Sequence, residues 1–203
     1  MTLGSLTEMQ LDALREVGSI GAGHAATALS QMVDRPVGLQ VPTIEVIDIR
    51  QVPYVFGGPE QLVCAVYARL TGDIGGGVLF FVSEESALSL VALLRGRPTG
   101  TTDSLGVDEE AMLGHAAWIL ITAYLSAIGR MAQIDVAPAA PALVCDMAGA
   151  ILQTVVVDVD MRAEHAVLVR TAFLNEQDKV DAALFFLPNP DSLGVLLRHL
   201  GLA

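Results

Sequence analysis

Lysine is nearly missing from this chain. Among its 203 residues 11 are basic, only Lys179 of them a lysine, against 23 acids, for a formal charge of −12. A surface this acidic repels phosphate backbones and excludes nucleic acid as the natural partner. Cysteine is scarce: Cys64 and Cys145 form no Cys-x-x-Cys pair, and His24, His115, His165 and His199 are scattered. No metal centre follows from such a set. Each cysteine lies in an apolar, strand-like run and reads as a small buried hydrophobe. The opening MTLGSLTEMQ has neither a basic start nor a long apolar stretch, so it is not a signal peptide and a cytoplasmic location is expected. Charged residues are few as well, 17% against 53% hydrophobic, which suits a large core and argues against bulk disorder.

One segment without formal charge approaches membrane-spanning length: residues 111–129, AMLGHAAWILITAYLSAIG. Gly, Ala, Ser, Thr and His dilute its hydrophobicity. Asp108, Glu109 and Glu110 precede it, and no basic cluster marks a cytoplasmic flank. A central helix buried between a sheet and neighbouring elements is the expected state, with no membrane partner.

What the chain does have is a spacing that occurs twice. Asp12, Glu16 and Ser19 lie in a helical stretch, and 22 residues separate Ser19 from Pro42. Ala111, His115 and Trp118 hold the same relative positions, and 22 residues again precede Pro141. The offset is 99 residues. LFFVSEESALSL, from Leu79, resembles LFFLPNPDSLGV, from Leu184, at an offset of 105. An insertion around 158–163 would account for the difference. Two copies with a period near 100 describe a duplicated domain rather than a solenoid.

Each copy has the same order of elements. Apolar residues at Leu11, Leu14, Val17 and Ile20 predict a helix over 6–32, with Thr7 as N-cap though no acid follows three residues later. A strand over 39–49, a turn near 53–59, a hairpin of 61–70 with 76–82, and a helix from Ser83 to about 96 follow. The Pro-, Gly- and Thr-rich segment 97–106 is a linker. The second copy reads as a helix over 108–131, a strand over 142–147, a helical turn near 149–153, strands over 164–174 and 180–187, and a helix over 191–200. Runs such as VLFFV, apolar on both faces, suit a sheet covered by helices.

On a helix, positions i, i+4 and i+7 fall within about 60° of one another, so Asp12, Glu16 and Ser19 share one stripe, continued by Gly23. Gly18, Gly21 and Ala22 flank it, and a partner surface is expected to approach closely there. Taken alone, such an acid pair is the ordinary solvated face of an amphipathic helix. The glycines do not form a dinucleotide-binding loop, because no strand precedes them.

With its Asp-x-x-x-Glu-x-x-Ser-x22-Pro frame, the segment LDALREVGSIGAGHAATALSQM resembles the CheC/FliY/CheX family, phosphatases of the phosphorylated chemotaxis receiver CheY. The resemblance covers nearly the whole chain, because both copies and the closing LFF-helix units fit, and GAGHAATALS and CDMAGAIL are specific segments of it. The family signature is Asp or Ser, three residues, Glu, two residues, Asn, 22 residues, Pro. The resemblance implies that Glu16 pairs with a receiver lysine, that Asp12 is a supporting acid, and that the residue at position 19 holds the water attacking the aspartyl phosphate. Here that residue is Ser19, shorter than Asn and with one hydroxyl, so weak activity is expected. In the second copy Ala111, His115 and Trp118 replace the whole set. His115 is expected to be a satisfied buried histidine and Trp118 to pack in a core or interface. The receiver would bring Mg²⁺, the chain itself no cofactor. The resemblance also implies binding of the receptor deamidase CheD through residues 142–152. Asp146 is either a contact there or a cap of the helical turn that follows.

The repeat and the resemblance together imply an α/β (α+β) fold. It is a single compact domain of two pseudo-twofold-related α-β-β-β-α halves, about 6–96 and 107–203, with helices on a central, mainly antiparallel sheet. The expected function is a weak receiver phosphatase working through the first site. The alternatives are a non-catalytic module binding the phosphorylated receiver, CheD or both, and a duplicated domain with a partner outside chemotaxis.

Overall fold

The computed structural model of the chain describes residues 7–158, 165–174 and 179–200. The first half runs α1 (Glu8–Val33), β1 (Gly38–Leu39), β2 (Thr43–Asp48), a 3-10 helix (Ile49–Phe56), β3 (Leu62–Gly72), β4 (Gly76–Ser83) and α2 (Glu84–Leu94). The second runs α3 (Val107–Ala132), β5 (Val136–Pro138), β6 (Ala142–Met147), α4 (Ala148–Asp158), β7 (His165–Leu174), β8 (Lys179–Pro188) and α5 (Pro190–His199).

Local chemistry sets the helix ends. Thr7 caps α1, and its partner three residues on is an amide rather than an acid. The Gln10 N–H donates to Thr7 Oγ1 at 3.4 Å, and the Thr7 N–H donates to Gln10 Oε1 at 2.8 Å. At α3 the Gly106 N–H donates to Glu109 Oε2 at 3.2 Å. Both long helices stop at a left-handed residue, Asp34 (φ 51°) and Gln133 (φ 55°). These two, 99 positions apart, are the non-glycine residues with positive φ among the described residues. Ser83 caps α2 by accepting from the Ser86 N–H at 3.0 Å.

The strands form one sheet of order β1-β7-β8-β4-β3-β5, with β2 also on β7 and β6 also on β3. At its centre Leu79 pairs with Phe185, and Phe80 with Leu184. The 105-residue offset turns each of these pairs into the other, as a twofold axis between β4 and β8 requires. At the flanks, Thr43 pairs with Arg170 and Ala142 with Tyr67. These pairs also interconvert, at offsets of 99 and 103. The outer strands of each half therefore pair with the other half.

The offsets also divide the expected insertion. Four of the six extra residues lie between β6 and β7, where an 11-residue α4 stands in for the 3-10 helix of the first half. The other two fall between β7 and β8. Of the segment 158–163, residues 159–163 lie outside the described residues. The expected strand over 39–49 is broken at Pro42, which has no N–H for a ladder. The expected turn near 53–59 is largely the 3-10 helix.

Strand alternation feeds two cores. Val78, Phe80 and Val82 of β4 join the larger one, with α1, α2 and α3. Leu79 and Phe81 face the other way, into a smaller core with Val52 of the 3-10 helix and Ile151 and Val155 of α4. This is the sheet covered on both faces that the apolar runs predict. By length and composition α3 is apolar enough to cross a membrane, with a mean hydropathy of 1.6 in its best window. Its stripe Leu113, Ala117, Leu120, Ile121 and Tyr124 is instead buried in the larger core.

The cysteines depart from expectation. Cys64 is buried, but Cys145 is exposed on β6, and the two face each other in register and form a disulfide. They are 81 positions apart. Only the cross-half pairing of β3 with β6 brings them together, so each local apolar run gave no sign of it. The equivalent pair in the other half is Val46 with Val167.

Candidate functional site

Asp12, Glu16, Ser19 and Gly23 all lie exposed on the outward face of α1. The inward face is buried through Leu14, Val17, Gly18, Gly21, Ala22, Ala25 and Leu29. The Arg15 guanidinium donates to Asp12 at 2.5 Å, in a solvent-exposed pair. No ion pair is formed by Glu16 among the described residues. The Ser19 hydroxyl donates to the Arg15 carbonyl oxygen at 3.0 Å, one turn back. Its hydrogen is thereby committed to the helix, and the oxygen's remaining acceptor capacity faces solvent.

The flanking small residues do a different job from the one expected of them. Gly18, Gly21 and Ala22 point inward, not toward a partner. A Cβ on Gly18 would stand 2.4 Å from Ile44 Cδ1 and 3.6 Å from Pro42 Cγ. A Cβ on Gly21 would stand 3.0 Å from the Tyr124 Cα. These glycines let α1 settle onto β2 and α3, and Gly23 alone of the three glycines opens outward, with nothing within 4 Å. Pro42 is buried behind the helix. The long spacing from Ser19 therefore records helix-on-sheet packing rather than a shared reactive surface.

The second copy is arranged otherwise. Ala111 and His115 are exposed, Trp118 is half-buried, and Pro141 is exposed where Pro42 is covered. His115 is thus not the buried histidine expected from its apolar neighbourhood, because helical phase turns it away from the Leu113–Ala117 stripe. It opens with Ala111 onto a cleft that also receives Arg35, Arg95 and Arg97. The sequence reading passed over these arginines. Their signal was their position, just past the C-terminal ends of α1 and α2.

Asp146 is exposed near the end of β6. Its carboxylate accepts from the Met147 N–H at 2.7 Å, immediately before α4. It also lines a mostly apolar cleft of about 480 Å³ with Tyr67, Val144, Ala150 and Ile151. Nearby Leu62, Val144 and Met147 are exposed apolar side chains.

Likeness to known structures defines the class first. A crystal structure of FliY from Thermotoga maritima matches 97% of this chain and 98% of its own, with a TM-score of 0.77 at 18% identity. FliM from H. pylori, in a complex with FliG, matches 95% and 100%, with a TM-score of 0.70 at 12% identity. The chain has the fold of these proteins. Residues 9–46 match the model of the CheC-like family. CheY-P phosphatase CheC of Bacillus subtilis is 31% identical over 200 residues, covering 97% of this chain and 96% of that protein. Flagellar motor switch phosphatase FliY of the same organism is 29% identical over 66% of this chain and 35% of its own length. The chain belongs to the CheC-like family.

Proposed function

We propose that this chain binds a phosphorylated CheY-type receiver and hydrolyses its aspartyl phosphate slowly, through the outward face of α1. The supporting observation is the 31% identity, over 97% of the chain, to a CheY-P phosphatase. Glu16, exposed and ready to meet a receiver lysine, anchors the docked surfaces. Asp12 supports it, with Arg15 beside it damping its charge. Ser19 accepts a hydrogen bond from the attacking water and aims it in line with the leaving carboxylate. The receiver supplies Mg²⁺, and the reaction belongs to the cytoplasm.

Catalysis of this kind is positioning, and the serine's short reach limits it. A misplacement of about 1 Å costs on the order of 100-fold in rate. The commitment of the Ser19 hydrogen to Arg15 favours a second reading, a non-catalytic module. In that reading Glu16 docks the phosphorylated receiver and the cleft beside Asp146 docks CheD, coupling the two.

Decay of a phosphorylated CheY receiver separates the readings. Under the phosphatase reading wild type accelerates decay, Glu16→Ala abolishes the effect, and Ser19→Ala lowers it about 10-fold or more. Receiver binding without acceleration, lost in Glu16→Ala and kept in Ser19→Ala, establishes the module instead.

A further inference from the structure

The second copy of the motif has lost its acids and lies beside a cluster of arginines. Where α1 offers Asp12 and Glu16, the matching turns of α3 offer Ala111 and His115 beside three guanidinium groups. Arg35, Arg95 and Arg97 are three of the ten arginines of a chain with charge −12, and they line one cleft of about 570 Å³. Beside the first copy, the positions matching Arg35 and Arg95 are Ile134 and Leu200.

The cleft is built rather than incidental. Arg35 lies over Gly96, where a Cβ would stand 1.3 Å from its Nη1. Its Nε–H donates to the Val33 carbonyl at 3.2 Å. Arg95 is held by Glu109 at 2.6 Å, both side chains being three-quarters or more covered. Arg97 is exposed at the rim. The cleft also holds the carboxylate of Asp108 and the apolar side chains of Met32 and Met112.

We propose that this cleft binds a phosphorylated, hydroxyl-bearing small molecule of the nucleotide class. Guanidinium forks match phosphate oxygens, and the three of them exceed by one charge what Glu109 and Asp108 neutralise. A bare anion would meet repulsion from Asp108. A sugar hydroxyl would donate to it. The methionines accept a flat apolar body, and the volume lies within the usual range for small-molecule sites, about 300–1,000 Å³. The α3 N-terminus adds partial positive charge on the same side.

Isothermal titration of the intact protein, without receiver and without Mg²⁺, tests this with ADP, ribose 5-phosphate and inorganic phosphate. ADP is expected to bind tightest and inorganic phosphate weakest. Arg97→Glu should weaken ADP about 10-fold, while Asp108→Asn should weaken ADP and tighten inorganic phosphate. Thermal melts of both variants confirm that they fold, and both positions lie outside the cores. The proposal is overturned if none of the probes binds, if Arg97→Glu leaves ADP affinity intact, or if phosphate binds as tightly as ADP. In those cases the arginines serve only the C-terminal ends of α1 and α2. No receiver takes part, so the outcome is independent of the phosphatase reading.

Discussion

The two halves share a backbone plan and differ in what they do with it. The first carries exposed carboxylates on α1, a buried Pro42 and a Val46–Val167 pair between strands. The second carries Ala111 and His115 beside arginines, an exposed Pro141 and the Cys64–Cys145 bond. Caps, left-handed helix ends and strand registers coincide under the offsets, whereas outward-facing side chains do not. Packing constraints have therefore kept the halves alike at their contacts, and the surfaces were free to diverge in charge.

The largest expected break in this comparison concerns the cross-strand pair. Cys145→Ser should lower stability by about 2–4 kcal/mol in urea unfolding, whereas Val46→Ala at the equivalent place should cost about 1 kcal/mol. Equal losses would mean that the bond does not stabilise the β3–β6 ladder, and a thiol titration of native protein reports independently whether the bond is formed. Next comes the water-holding position. Under the proposed phosphatase reading, Ser19→Asn should speed receiver dephosphorylation about 100-fold. The combined change Ala111→Asp, His115→Glu and Trp118→Asn should give no comparable gain, because Arg35, Arg95 and Arg97 would engage the new glutamate. A gain of the same size at both sites would show that the arginines do not matter there.

The smallest effect concerns the helix caps. Gln10 and Glu109 are equivalent, but only Glu109 titrates. A backbone hydrogen bond and the Arg95 charge hold its carboxyl below the ordinary value of 4.5, against the opposing effect of burial. A depressed folded value means that its stabilisation is complete above 4.5 and is lost as pH falls through the folded value. Amide exchange in the first turn of α3 should therefore rise in acid relative to the first turn of α1. Parallel behaviour of the two caps would refute this.

Much of this was readable in the letters, for physical reasons that can be named. The period of Leu11, Leu14 and Val17, the Ser83 cap and the strand over 142–147 depend on near neighbours, and local sequence carries them. The repeated frame carried the family and the candidate residues Asp12, Glu16 and Ser19. What escaped depends on distant partners. Cys64 and Cys145 meet only through cross-half pairing. Gly18 and Gly21 looked like open space for a partner until Ile44 and Tyr124 filled it. His115 looked buried because its neighbours are apolar, although helical phase turns it out. Arg35, Arg95 and Arg97 come from separate helix ends that converge on one cleft.

The exchange of outer strands has a consequence for how such a molecule can arise and be divided. β2 lies on β7 and β6 on β3, so a chain severed within 97–106 would yield two fragments, each missing a ladder that the other holds. Neither fragment offers its sheet a complete set of neighbours. An ancestor one half as long would have needed a twin, its strands interleaved with those of an identical copy. In the present chain the two halves are joined end to end, and each completes the sheet of the other.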